Sequence, residues 1–86
     1  MGSLRILNIA CNMINDQTIM GMISNVNLPK LKILDLSSNR LCLPQTVSAI
    51  LSHLPALRTF NMARNTITGE LLLDGVTPVG LKDLYL

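Results

Sequence analysis

The chain has 86 residues, of which 49% are hydrophobic, 14% charged and 2% aromatic, and its formal net charge is +2. This length allows one domain, and the hydrophobic content excludes a disordered segment. The charge is too small to indicate a polyanion partner, and no apolar run reaches the roughly 18 residues of a membrane-spanning helix. Composition therefore predicts a small folded domain with an aliphatic core.

A frame of apolar residues that ends in an asparagine recurs along the chain. Residues 31–41 read L-x-x-L-x-L-x-x-N-x-L, and we number repeat positions from the first leucine of this frame. Successive copies start 27, 26 and 24 residues apart, and the fourth is partial. A frame recurring at this spacing is typical of stacked repeats. The repeats start at Leu4, Leu31, Leu57 and Leu81, within a single segment over residues 1–86.

The first copy predicts a short strand followed by a helix. Leu4, Leu7 and Ile9 are predicted to point toward the core, and strand alternation places Ile6 and Asn8 outward. Residues 16–26 carry apolar side chains at the i, i+3, i+4, i+7 spacing of a helix. Asp16 is the predicted N-cap, because a short acidic side chain can accept hydrogen bonds from the first turn.

The second copy repeats this plan, whereas the third departs from it. Pro44 suits the first turn of a second helix, and the helical apolar spacing continues to Leu54. In the third copy, Gly75, Pro78 and Gly80 disfavour a helix. We therefore expect an extended segment or a short turn after the third strand.

An asparagine stands at repeat position 9 of each full copy. A short amide at this place can hydrogen-bond backbone groups that lose their partners where the chain leaves the sheet. Stacked copies would align these amides, so we predict a structural asparagine ladder. Its members are Asn12, Asn39 and Asn65.

The frame and its spacing resemble the leucine-rich repeat family, and the resemblance covers nearly the whole chain. It implies an α/β solenoid, with a short parallel β-sheet on the concave face and helices or turns on the convex face. The first two copies resemble the longer, ribonuclease-inhibitor-like class, whereas residues 67–71 resemble the shorter plant-type repeat. Two of three copies thus favour the longer class. Most members of the family bind proteins.

No polar capping segment, which solenoids need over their terminal repeats, is visible at either end of the chain. We therefore expect a piece of a longer solenoid, or a chain whose uncapped ends associate with partners.

Two outward columns of the predicted sheet are candidates for binding a protein partner. Adjacent strands lie about 4.8 Å apart, so equivalent positions form a contiguous patch. The alternative is that these residues are only strand-compatible surface. Repeat position 3 supplies Ile6, Ile33, Thr59 and Asp83, and position 5 supplies Asn8, Asp35, Asn61 and Tyr85.

Repeat position 2 is basic in every copy and would form a rim beside these columns. Like charges in a row are unfavourable unless they are solvated or countered, so either solvated surface or an acidic stripe on a partner explains them. Nucleic acid is the weaker interpretation, because Tyr85 is the one outward aromatic for base stacking and Phe60 belongs to the core. The rim consists of Arg5, Lys32, Arg58 and Lys82.

Residues that could carry chemistry are few and scattered. His53 is the only histidine and lies on the convex side, far from Cys11 and Cys42 near the strand ends. This disfavours a zinc site and a Cys–His nucleophile pair, so we expect no metal, no cofactor and no enzymatic activity.

The two cysteines do not make a disulfide framework of the kind found in secreted domains, and the chain has no N-x-Ser/Thr glycosylation sequon. Both observations favour an intracellular, cytoplasmic protein. Two alternatives to a free-standing binding module stay open. One is a structural segment of a scaffold or cytoskeletal assembly. The other is the recognition or regulatory part of an enzyme whose catalytic domain is not in this chain.

Overall fold

The computed structural model of this chain describes residues 3–69 and 77–86, and these form four strands and two helices. Each strand has three residues and each helix has ten. Part of the segment expected to be extended or a short turn after the third strand, including Gly75, falls in residues 70–76 and lies outside the described residues, as does part of the plant-type match. The elements are β1 (Ile6–Asn8), α1 (Asp16–Asn25), β2 (Ile33–Asp35), α2 (Pro44–His53), β3 (Thr59–Asn61) and β4 (Asp83–Tyr85).

The four strands form one parallel sheet in the order β1-β2-β3-β4. Equal repeat positions pair across the sheet: Ile6 with Ile33, Ile33 with Thr59, and Thr59 with Asp83. Parallel neighbours need a crossover connection, and α1 and α2 supply it between the first three strands. The predicted α/β repeat fold is confirmed at this level.

Helix α1 begins where the apolar spacing predicted, but Asp16 is not its N-cap. Asn15 holds that place with an extended backbone, and its Oδ1 accepts the N–H of Thr18 at 2.8 Å. An N-cap side chain must reach the N–H two or three residues later, and Asn15 does so, whereas Asp16 is already the first helical residue. Gly21 does not interrupt the helix.

Helix α2 starts at Pro44, as predicted, and its N-cap residue Leu43 provides no side-chain hydrogen bond. Proline suits this position because its missing N–H would have no partner inside the helix. No helix in the described part of the chain is long and apolar enough to cross a membrane.

The core lies between the sheet and the helices and is aliphatic apart from Phe60 and Met62. The inward leucines of the second repeat are buried: Leu34 in β2 is 2% exposed, and Leu36, which directly follows β2, is 0% exposed. Their counterparts at the first strand, Leu7 and Ile9, are only partly buried, so the prediction of core positions there was too strong. The reason is topological, because β1 has a neighbouring strand on one side only among the described residues.

Candidate functional site

Each of the first three strands ends in the same turn, and repeat position 5 stabilises it. The side-chain oxygen there accepts the N–H two residues later, at 3.1 Å for Asn8, 2.9 Å for Asp35 and 3.0 Å for Asn61. Such bonds close Asx turns. The position-5 column therefore has a structural role in addition to the binding role predicted for it, and Asp35 is half-buried rather than fully exposed.

The chain leaves these turns through a left-handed residue at repeat position 8. Cys11, Ser38 and Arg64 have φ values of 60°, 56° and 60°. Non-glycine residues rarely adopt this region, so the regularity across three repeats reflects a requirement of the turn. The next residue in each case is the asparagine at position 9.

Repeat position 3 forms an outward column that changes in character along the sheet. Ile6 is 60% and Ile33 38% exposed, so two branched apolar side chains lie next to each other on β1 and β2. On the other two strands the column is polar, and the Thr59 hydroxyl donates to Asp83 Oδ2 at 3.3 Å. Tyr85, which belongs to the position-5 column, is 51% exposed on β4.

The basic residues at position 2 lie directly beside this column and are held in register by their main chains. The carbonyl of Arg5 accepts the N–H groups of Lys32 and Ile33 at 2.8 and 3.1 Å, and the next two strands repeat this pair of bonds. Lys32 is half-buried, whereas Arg5, Arg58 and Lys82 are exposed. Within residues 3–69 and 77–86, none of these four cations forms an ion pair.

Asn39 is the most strongly connected asparagine of the predicted ladder. Its Oδ1 accepts the N–H groups of Asn12 and Ile14, both at 2.9 Å, and its Nδ2 donates to the carbonyls of Ile9 at 3.1 Å and Leu36 at 2.9 Å. It is only 7% exposed. Asn39 thus ties the first repeat to the second through main-chain groups.

The other two asparagines differ from each other. Asn65 accepts the N–H of Leu41 at 3.0 Å and donates to the carbonyls of Leu36 and Met62, both at 2.9 Å. Asn12 is exposed, and its amide donates to the carbonyl of Ala10 at 2.9 Å, within its own turn. The three amides are therefore not equivalent, because Asn12 has no preceding strand in the described sheet to reach.

Asp16 has a role that sequence reasoning missed. Its Oδ1 accepts the N–H of Cys42 at 2.9 Å and the thiol at 3.1 Å, and its Oδ2 accepts the N–H of Leu43 at 3.1 Å. Asp16 thus bonds the two residues that lead into α2, although it does not replace the cap hydrogen bond that Leu43 lacks. Asp16 and Leu43 occupy the same repeat position, so stacking alone could have indicated the contact.

The environment of Asp16 favours its charged form. Burial raises the pKa of its carboxyl, but hydrogen bonds from Thr46, Cys42 and Leu43 outweigh this effect and leave the pKa below its ordinary value. The hydrogen bond that the Cys42 thiol donates to Asp16, together with burial and the negative charge of Asp16, raises the pKa of that thiol. Both cysteines are free, with Cys11 exposed and Cys42 half-buried.

Groups that could carry out catalysis do not converge in the described residues. His53 is exposed at the end of α2, where its Nδ1 lies 3.3 Å from the carbonyl oxygen of Ala49. In the described part of the chain, no three His, Cys, Asp or Glu side chains are grouped so that they could hold a metal ion.

The geometry can be compared with known families. A family model described as Leucine Rich Repeat matches residues 30–54. No curated protein and no solved structure was found that matches the chain. Motifs of this family generally mediate protein–protein interaction, and the family is typically non-catalytic. Residues 30–54, which contain β2 and α2, are therefore similar to a leucine-rich repeat.

Proposed function

We propose that this chain is a non-catalytic module of a leucine-rich repeat solenoid and binds a partner protein through the outward face of its sheet, which is the concave side. The observation that carries the proposal is the exposed pair Ile6 and Ile33, 60% and 38% accessible on adjacent strands. Exposed apolar neighbours rimmed by polar groups are the usual composition of a protein interface.

The basic rim supports the same assignment. Arg5 and Lys32 border the apolar pair, and neither has a carboxylate partner in the described residues. A partner with acidic side chains around an apolar contact would match both features. Charge at the rim then acts mainly on the association rate, and the apolar centre acts on dissociation.

The position-3 column carries the binding in this proposal more than the position-5 column. The side-chain oxygens of Asn8, Asp35 and Asn61 already accept backbone hydrogen bonds in their turns. Substituting them would disturb the turns as well as the surface. Ile33 has no such bond, so its side chain tests binding more cleanly.

The experiment measures how tightly, and how fast, surface variants of the chain bind a partner protein. The partner is first isolated with the parent chain and then purified. Ile33→Asp places a charge in the apolar centre and is expected to weaken the equilibrium binding at least about tenfold. Lys32→Glu is expected to slow association most at low salt. Ser52→Arg, on the exposed side of α2, is the control and should bind like the parent.

Circular dichroism of each variant establishes that it is folded. The proposal fails if folded Ile33→Asp and Lys32→Glu bind as tightly as the parent while Ser52→Arg blocks binding. That pattern would place the partner on the helical side.

The repeat class and cellular location are parts of the same proposal. Ten-residue helices follow the first two strands, which supports the longer, ribonuclease-inhibitor-like class. The free thiols and the lack of a glycosylation sequon support an intracellular, cytoplasmic protein. A fractionation of cells that express the chain without added targeting sequences would test the location.

A further inference from the structure

The outward sheet face carries its apolar and basic side chains in rows that run across the strands. Because equal repeat positions pair in the sheet, Ile33 lies beside Ile6 on one side and Thr59 on the other. The basic rim runs in the same direction, one residue before this column in every repeat. A partner segment that contacts either row over its whole length must therefore cross the strands rather than follow one of them.

The inner strands of the sheet show this pattern by themselves. β2 has a hydrogen-bonded neighbour on both sides, yet Ile33 is 38% exposed. The cations nearest to it belong to the second and third repeats, where Lys32 is half-buried and Arg58 is exposed. An exposed apolar side chain beside a row of cations is thus a property of the interior of the sheet.

The spacing of the rows discriminates between a helical and an extended partner segment. Neighbouring strands lie about 4.8 Å apart, so four equivalent side chains span about 14 Å. On an α-helix, residues i, i+3, i+7 and i+10 share one face and span about 15 Å. On an extended strand, four residues that point to one side span about 20 Å. A helix therefore matches the rows over their whole length, whereas a strand does not.

The hydrogen-bonding groups of the face lead to the same conclusion. The strand backbones bond to one another across the sheet. The side-chain oxygens of Asn8, Asp35 and Asn61 already accept N–H groups of their own turns. An extended segment lying across the strands would leave its own N–H and C=O groups without partners over the isoleucines, which is unfavourable. A helix bonds these groups internally, so its burial on this face costs less.

Charge defines the chemistry of the partner's flank. Among the described residues, the outward face and its rim carry four cations and two carboxylates, those of Asp35 and Asp83. Asp35 accepts the N–H of Ser37, and Asp83 accepts the hydroxyl of Thr59. Carboxylates on a partner would therefore meet cations along the rim, and Asp83 disfavours a further carboxylate close to β4.

We propose that the partner segment is an amphipathic α-helix with an acidic flank, which lies across the strands of the outward face. Its apolar side chains pack on Ile6 and Ile33. Its carboxylates, about one helical turn apart, lie along Arg5, Lys32 and Arg58. The inference rests on the proposed function, because it names the kind of partner that the same face binds.

Two synthetic peptides that carry the same leucines and glutamates are the probes. In the helical probe, lactam bridges fix the helix and reduce the entropy lost on binding. Its two leucines lie one turn apart, and its glutamates occupy positions i, i+3 and i+7 on the adjacent flank. In the extended probe, these residues stand at every second position and no bridge is present.

Fluorescence anisotropy of each labelled probe with the whole chain, up to about 1 mM, measures the dissociation constants. We expect the helical probe to bind at least about tenfold more tightly than the extended probe. Its affinity should fall as salt is added, because the rim is exposed to solvent.

Three variants of the chain locate the contact, and circular dichroism verifies that each is folded. Ile33→Asp is expected to weaken binding of the helical probe at least about tenfold. Arg58→Glu should weaken it at least about threefold at low salt. Lys30→Glu is the matched control, because Lys30 is exposed in the turn before β2, outside the rim, and the charge change is the same. Its effect should be smaller than that of Arg58→Glu.

A charge exchange tests the register of the helix. Each glutamate of the helical probe is replaced in turn by lysine. One of these probes should bind Arg58→Glu more tightly than it binds the parent chain, because a lysine then faces a glutamate. If none of them does, the carboxylates do not lie along the rim and the proposal is overturned.

The remaining outcomes separate this inference from the proposed function. An extended probe that binds at least as tightly as the helical one, and is weakened by Ile33→Asp, would overturn the helix and leave the face as the binding surface. A helical probe that Ile33→Asp binds like the parent, and Ser52→Arg does not bind, would overturn both. If neither probe binds at about 1 mM, the helix proposal fails, and the purified partner still tests the proposed function by itself.

Discussion

The three asparagines at repeat position 9 offer chemically identical substitutions in different surroundings. Asn39→Ala removes the acceptor for the N–H groups of Asn12 and Ile14 and the donor to the carbonyls of Ile9 and Leu36. Asn12→Ala removes one exposed bond within its own turn. We expect unequal losses of folding free energy from the same change.

The expected magnitudes follow from burial. The Ile14 and Leu36 groups bonded to Asn39 are buried, and a buried polar group left without a partner costs about 1–3 kcal/mol. Because water reaches the other groups, we expect Asn39→Ala to cost about 2–4 kcal/mol in total. Asn65→Ala, whose bonds are part-buried, should cost about 1–3 kcal/mol, and Asn12→Ala about 0.5 kcal/mol or less.

Urea unfolding followed by circular dichroism measures these differences. A chain of this size has a denaturant dependence of about 1 kcal/mol per molar urea, so Asn39→Ala should lower the midpoint by roughly 2 M or more. Total stability is expected to be about 4–13 kcal/mol, and the parent midpoint sets the scale. Equal midpoints for the Asn12 and Asn39 variants would refute the assignment of Asn39 as the tie between repeats.

Three further predictions follow from the contacts of single residues. Asp16→Asn should destabilise the chain by about 1–2 kcal/mol near neutral pH. Because the pKa of Asp16 is lowered in the fold, the difference in unfolding free energy between parent and variant is present above the ordinary carboxyl pKa and should vanish as the pH falls through the folded value. A difference in stability that does not depend on pH would contradict this prediction. Leu36→Ala should cost about 2–5 kcal/mol as a core truncation, and Asp35→Ala, whose carboxylate accepts the N–H of Ser37, about 0.5–1.5 kcal/mol; the reverse order in urea unfolding would mean a strand shifted by one residue. Exposed Cys11 should react with a thiol reagent faster than Cys42, whose pKa is raised by its hydrogen bond to Asp16; Cys11→Ser should remove the fast phase, and a Cys42 reaction that Asp16→Asn does not accelerate would contradict the assigned cause.

The repeat frame was enough to predict the strands, the helices and most of the core. Leucines at alternate positions defined the inward face of β2, and the helical spacing located α1 to within one residue of its observed end. These features depend on local periodicity, which the sequence displays directly. The parallel register also followed, because equal repeat positions must align when similar units stack.

Contacts between repeats were harder to predict, because they depend on which neighbours exist. Asn12 and Asn39 occupy the same repeat position, but only Asn39 has a preceding strand to bond. Likewise, Asp16 was expected to cap its own helix and instead accepts the N–H groups of Cys42 and Leu43, which precede α2. In both cases the hydrogen-bond partners were set by the adjacent repeat, and for Asp16 the local prediction of an N-cap was also wrong, because Asn15 holds that place.

The left-handed residues at repeat position 8 gave no local signal at all. Cys11, Ser38 and Arg64 are chemically unrelated, and none is a residue type that favours positive φ. The conformation is imposed by the bonds on either side, from the position-5 oxygen before it and the asparagine after it. A small backbone cost, of order 1 kcal/mol per residue, is offset by the hydrogen bonds that the turn completes.

Side chains of each of the first two repeats form hydrogen bonds to the main chain of the other, and these bonds affect how rigidly the outward sheet face is held. Asn39 reaches back to the carbonyl of Ile9, and Asp16 reaches forward to the N–H groups of Cys42 and Leu43. With ties on both sides of the interface, the two repeats resist sliding or opening relative to each other. Ile6 and Ile33 are consequently presented at a fixed separation, and a fixed surface loses less conformational entropy on binding than a mobile one. On this argument, weakening Asn39 or Asp16 should reduce partner affinity even though neither side chain lies on the outward face.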